Sequence, residues 1–169
     1  ILLVDYRTKR EYDYNHIKYQ DVVNIDPSWV QGLQADASDF DLDRRLQMLM
    51  PDDQYAKFRK RALYDLIVVY NLKYGAVLDR FVALEALLAE SEKSKSMGIP
   101  TASPFLPLVN LIVYKTKYLS TKLKRYPMFL CGGVSHWYEV HGEKSIEKTI
   151  DPTPQLVRPL ATLPKGSFS

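Results

Sequence analysis

The stretch "LYDLIVVYNLKYGAVLDRFVALEALL", Leu63–Leu88, decides how the rest of the chain is read. Leu63, Ile67, Tyr70, Tyr74, Val77, Phe81, Leu84 and Leu88 recur at alternating steps of four and three, the seam of a heptad-like helix packed lengthwise on another helix. Asp52 and Asp53 suit the N-terminus of such a helix, and Gly98, after the lysines of "SEKSKS", suits its end. The helix would run for roughly 40 residues, about 60 Å. Gly75 beside the seam costs up to about 1 kcal/mol in a helix interior and invites a kink or a close backbone approach. Tyr70 and Tyr74 in the seam speak against a simple two-stranded coiled coil, so its natural partner is a helix of the same chain or of a neighbouring subunit.

A second helix is predicted from Pro107 through "LVNLIVYKTKYLSTKLKRY". Leu108, Leu111, Ile112, Leu119 and Leu123 line one side, and Lys115, Lys117, Lys122, Lys124 and Arg125 populate the rest. The pair predicts an antiparallel helical hairpin over residues 52–126 and a mainly α fold. Before it, residues 1–51 carry no sustained period and read as an extended arm with a short helix. The arm's Tyr6, Tyr12, Tyr14 and Tyr19 are amphipathic rings suited to lying across a partner. Residues 127–150 read as a glycine-turn segment, with two short strands about Gly132 and Gly133 or a buried turn. Residues 151–169 hold four prolines and read as an extended tail that cannot bury itself.

A chain of 169 residues with 46% hydrophobic content makes about one ordinary domain. One cysteine rules out an intrachain disulfide, and no apolar run reaches the roughly 20 residues needed to span a bilayer. The sequence opens on Ile1 rather than Met, which reads as a processed mature form or part of a longer protein, with no presequence visible. The net charge of +3 conceals an asymmetry: residues 1–53 hold 11 acids and 6 bases, whereas residues 93–138 hold 7 bases and no acid.

Candidates for chemistry are few. Cys131, His136 and His141 share "CGGVSHWYEVH", and Glu139 or Glu143 could join a mixed metal site. In an extended strand His136 and His141 point to opposite faces, and a structural zinc site wants four ligands from a chain that has one Cys and three His. Cys131 beside Gly132, Gly133 and His136 has features that a nucleophilic thiol can use, but nothing supplies an orienting Asp or Asn. Asp39, Asp41 and Asp43 alternate as in a calcium loop, yet the sixth and twelfth positions are Arg44 and Met50, so these carboxylates read as a helix cap. Asp36 and its neighbours have no apolar pocket that would raise a pKa, and "GEKSI" lacks the spacer of a phosphate loop. No catalytic, metal or cofactor residue is therefore assigned.

The basic tract of Lys115, Lys117, Lys122, Lys124 and Arg125, interleaved with Tyr114, Tyr118 and Tyr126, fits RNA phosphates, an anionic lipid surface or an acidic protein. The expectation drawn is a non-catalytic accessory subunit of a large assembly, peripheral to the mitochondrial inner membrane, as in a respiratory or ATP-synthase complex. It would contact other protein subunits through both termini and the long helix, with no transmembrane span and no cofactor. The alternatives are an RNA-contacting ribosomal subunit, or a small enzyme or metal-binding protein built on Cys131, His136 and His141.

Overall fold

The computed structural model describes residues 1–74 and 103–148. Its centre is a parallel sheet rather than a helical hairpin. "LLVD" forms β1 (Leu2–Asp5), "VVN" forms β3 (Val22–Asn24), "IVVY" forms β4 (Ile67–Tyr70), and Met128–Phe129 form β5. The order is β3-β1-β4-β5, with every neighbouring pair parallel. A second, antiparallel ladder joins β2 (His16–Ile17) to β6 (Ile146–Glu147).

Short β-branched runs without polar alternation suit strands that are buried on both faces, and both faces of this sheet are covered. Leu2, Val4, Val23, Ile67 and Val69 meet a cluster that includes Leu42, Leu46, Phe58, Leu108 and Ile112. Those partners come from α3 (Asp39–Leu49), α4 (Asp52–Arg59) and α5 (Leu106–Val109) with its π-helical continuation, Asn110–Tyr114. On the opposite face Leu3 and Tyr70 meet Ile17, Val134, Trp137 and Ile146, contributed by the β2/β6 ladder and by α6 (Gly133–His141). Two further short helices are α1 (Lys9–Tyr14) and α2 (Pro27–Gln31).

The mainly α expectation is thus corrected to a mixed α/β fold. The long helix fails first at Lys60: α4 ends there, and Arg61–Leu63 make a single 3₁₀ turn. Arg61 is driven inward, where its guanidinium donates to Asp43 at 2.8 and 3.1 Å and to Asp39 at 3.4 Å. The next residues then enter the sheet. Ile67 and Tyr70, taken as neighbours on one helical seam, are three apart in a strand and so face opposite layers. Leu63 is largely exposed, and Tyr74 packs at the edge of the first cluster. Val77, Phe81, Leu84 and Leu88 lie outside the described residues, as does the Pro-rich tail.

The second predicted helix also stops early. After Tyr114 the Asp39 carboxylate accepts from the Lys117 amide at 3.1 Å and the Thr121 hydroxyl at 2.6 Å, which holds the chain away from a continuing helical path. The N-terminal arm is not an arm, since it supplies β1, β2 and β3. The aspartate run does fold as a capped helix: Ser38 and Asp41 form the capping box of α3, with the Ser38 amide donating to Asp41 at 2.8 Å. In place of a β-hairpin about Gly132 and Gly133, β5 runs parallel to β4 and the glycines open α6.

Candidate functional site

The strand register sets Asp5 beside Asn24 on one side and Tyr70 on the other, so three polar side chains lie level at the carboxyl ends of β1, β3 and β4. All three are buried. Arg7 reaches back over the end of β1, with Nε donating to one Asp5 oxygen at 2.8 Å and Nη2 to the other at 2.6 Å. The same guanidinium donates to the Asn15 carbonyl and, at 3.2 Å, to Asn15 Oδ1. Asn24 Nδ2 donates to the carbonyls of Asp5 and Arg7, and the Tyr70 hydroxyl accepts from the Ile17 amide at 3.3 Å. This network ties the ends of three strands to the turn between α1 and β2.

Burial raises the Asp5 carboxyl above its ordinary 3.8, outweighing the bonds and charge of Arg7. Burial also holds the Tyr70 hydroxyl well above 10, so it stays protonated. His16 stacks on Tyr12 with centroids 3.9 Å apart, and its Nδ1 lies 2.9 Å from the Tyr12 carbonyl. That contact makes Nδ1 the protonated nitrogen and turns Nε2 toward Glu147, 3.6 Å away.

Beside the network opens a cleft of about 430 Å³. Tyr14 and Asn15 form one wall, Leu72 closes the side next to β4, and Val134, Ser135, Tyr138 and Glu139 of α6 face Ile146 and Lys148. Its position outside the carboxyl ends of parallel strands, between loops that leave β1 and β4 in opposite directions, is where open α/β sheets hold ligands. The lining combines aliphatic surface with hydroxyls, one amide and one charge of each sign. Such a set can grip an extended peptide by its backbone and by an apolar side chain.

The N-terminus of α6 is already occupied by the chain itself. Gly132 N–H donates to the Tyr74 carbonyl, Val134 N–H to that of Asn71, and Ser135 N–H to that of Leu72. Gly133, at φ 57°, sits so close to the Asn71 and Leu72 carbonyls that a Cβ would collide with them. The two glycines therefore serve the docking of α6 against the loop after β4.

Cys131 is exposed between β5 and α6. Among the described residues no hydrogen bond joins its thiol to an imidazole or a carboxylate, and no three His, Cys, Asp or Glu side chains cluster as a metal site. His136 lies 3.7 Å from Glu139, whereas His141 packs on Trp137 with centroids 4.2 Å apart. Five residues apart on a helix, the two histidines diverge by about 140°. Of the tyrosines assigned to a partner-binding arm, Tyr6 and Tyr12 are buried, while Tyr14 and Tyr19 are exposed and Tyr14 lines the cleft. Burial pushes the Tyr6 hydroxyl up to about 12. Lys115, Lys117, Lys122, Lys124 and Arg125 are all exposed. The network of Asp5, Arg7, Asn15, Asn24 and Tyr70 escaped the sequence reading. Its signal was the pair of short apolar runs, "LLVD" and "IVVY", each closed by a polar or hydroxyl-bearing residue.

No protein-family model matches the chain. Over 142 residues it is 28% identical to ubiquitin carboxyl-terminal hydrolase 4 of Eremothecium gossypii, a match that covers 83% of this chain. The similarity is to part of a ubiquitin hydrolase. Over 84 residues, 46% of this chain, it is 27% identical to ubiquitin carboxyl-terminal hydrolase 4 of Saccharomyces cerevisiae. The chain spans 14% of the first relative's length and 9% of the second's. These matches overturn the expectation of a non-catalytic mitochondrial accessory subunit, together with its ribosomal alternative, because both relatives are named as hydrolases and neither as a structural or membrane component. Among the described residues no helix is long and apolar enough to cross a membrane.

Proposed function

We propose that this chain is a region of a ubiquitin carboxyl-terminal hydrolase-like enzyme and that its end-of-sheet cleft grips an extended protein segment for that enzyme. The observation that carries the reading is the similarity over 142 residues, which runs through most of the chain rather than through one short motif. The cleft supports it chemically. Asn15 and Ser135 can hydrogen-bond a peptide backbone, Leu72, Val134 and Ile146 can receive an aliphatic side chain, and Glu139 and Lys148 can meet charges of either sign. Its volume, about 430 Å³, suits a few residues rather than a folded surface. On this reading the partners are protein chains, and the nucleophile of the enzyme is supplied from outside Cys131.

The test uses the longer protein that carries this chain, assayed for release of a fluorophore from the carboxyl terminus of ubiquitin and for cleavage of ubiquitin–protein conjugates. Hydrolysis is expected, with Cys131→Ser retaining it. Ser135→Arg, which fills the cleft, is expected to raise KM for conjugates while leaving release of the small fluorophore unchanged. A longer protein without ubiquitin hydrolysis refutes the reading. Loss of all turnover in Cys131→Ser would instead make Cys131 the nucleophile.

A further inference from the structure

Lys115, Lys117, Tyr118, Leu119 and Ser120 are exposed, yet their segment is held at several points. Asp39, fully buried, accepts from the Lys117 amide and the Thr121 hydroxyl, and its own amide donates to the Lys115 carbonyl at 3.2 Å. Above this anchor Tyr118 packs edge-on against Phe40 at 6.3 Å, and the Arg44 guanidinium lies over the Phe40 ring at 5.9 Å. Leu119, the next residue, is 88% exposed. A leucine so exposed on a segment so constrained has lost its freedom without gaining burial in this chain.

The charge on this face is selective. Lys115 is committed to the Ala35 carbonyl, and Lys124 to Asp65 and the Leu63 carbonyl. Arg44, Lys117, Lys122 and Arg125 make no ion pair among the described residues. Asp41, whose carboxylate accepts from the Ser38 amide, lies close to Arg44 and Lys117. A polybasic lipid-binding cluster gathers about four to eight cations close together, and nucleic-acid binding rests on rows of phosphate contacts made by Lys and Arg. The carboxylate beside Arg44 and Lys117 interrupts such a row, and the cations around it match a short run of acidic side chains. Tyrosine and arginine around one protruding aliphatic group also have the composition of a protein-binding hot spot.

We infer that the face formed by Phe40, Arg44, Lys117, Tyr118, Leu119 and Lys122 docks an acidic segment of a partner protein, with the partner's carboxylates on Arg44, Lys117 and Lys122 and an apolar side chain against Leu119 and Tyr118. This surface is separate from the cleft and does not depend on the ubiquitin reading.

The test presents the full 169-residue chain with arrays of short peptides, Glu-rich or Lys-rich, each carrying one central Phe or Leu, together with phosphatidylserine vesicles and single-stranded polyuridylate. Glu-rich peptides with the apolar residue are expected to bind. Lys117→Glu and Leu119→Ser are each expected to weaken them about tenfold, the equivalent of about 1.4 kcal/mol. Thermal midpoints of both variants should match the wild type, because neither side chain is buried. Equal binding of Glu-rich and Lys-rich peptides, absence of peptide binding, undiminished binding by both variants, or stronger binding to vesicles or polyuridylate would each overturn the inference. Failure here leaves the hydrolase assay untouched, so the two readings fall separately.

Discussion

Gly133 shows how one missing side chain positions α6. At φ 57°, with the Asn71 and Leu72 carbonyls where a Cβ would stand, Gly133→Ala meets both backbone strain and a collision with atoms that cannot swing aside. Its loss in urea unfolding should exceed that of Gly142→Ala, which at φ 77° with open space around it meets backbone strain alone, about 1–3 kcal/mol. Equal losses would mean that the close approach contributes nothing. Asp43 offers a test by pH. Burial, the largest cause, and the nearby Asp39 charge raise its carboxyl above 3.8 against the pull of Arg61. Its folded form therefore binds a proton more readily than its unfolded form. The stability linked to Asp43 is complete below 3.8 and declines as pH rises through the folded value. Asn cannot titrate, so the advantage of wild type over Asp43→Asn in urea unfolding should be greatest near pH 3.5 and shrink toward about pH 7. An advantage that grows with pH would show the Arg61 attraction outweighing burial.

Among the elements, the segment after α5 depends on Asp39 more than on its own sequence. "YKTKYLSTKLKRY" has enough helical spacing to continue the preceding turn, yet the carboxylate captures Lys117 and Thr121 and pairs with buried Arg61 at 3.4 Å. Asp39→Ala removes these partners and leaves the guanidinium paired with Asp43, a change expected to cost about 1.5–3 kcal/mol. The Lys117 amide should then exchange its hydrogen much faster than the amides of β1. Unchanged exchange at Lys117 would show that the segment is held by packing instead. This anchoring also connects stability to binding, because the basic side chains above it are displayed on a fixed backbone.

At the scale of the molecule, one sheet carries two unlike layers. Trp29 packs against the cluster on the α3/α4 face, and Trp137 packs against the cluster beside the β2/β6 ladder. Since β1 and β4 contribute side chains to both, neither layer can be lost without exposing the sheet. Single variants Trp29→Phe and Trp137→Phe, each leaving one fluorescent reporter, should give coincident urea midpoints after correction for their own stabilities. Two separate midpoints would mean that the layers unfold independently. The cleft lies on the second layer and the acidic-segment face on α3 of the first, so a ligand at one could stabilise the other only through the shared sheet.

Composition and local pattern determined the lack of a disulfide within this chain, the capped helix over the aspartate run and the basic stretch that lies exposed. Those features rest on contacts between near neighbours or on counts of residue types. The identity of "IVVY" as a central strand was different. Its spacing with Tyr74, Val77 and Phe81 satisfies a helix as well as its β-branched residues satisfy a sheet, and four apolar residues cannot arbitrate. Pairing with β1 and β5, far away in the chain, supplied the hydrogen bonds that decided it. The same holds for the site. Asp5, Asn24 and Tyr70 become one layer only when three strands align in parallel register, whereas the Asp5–Arg7 pair is local, two residues apart.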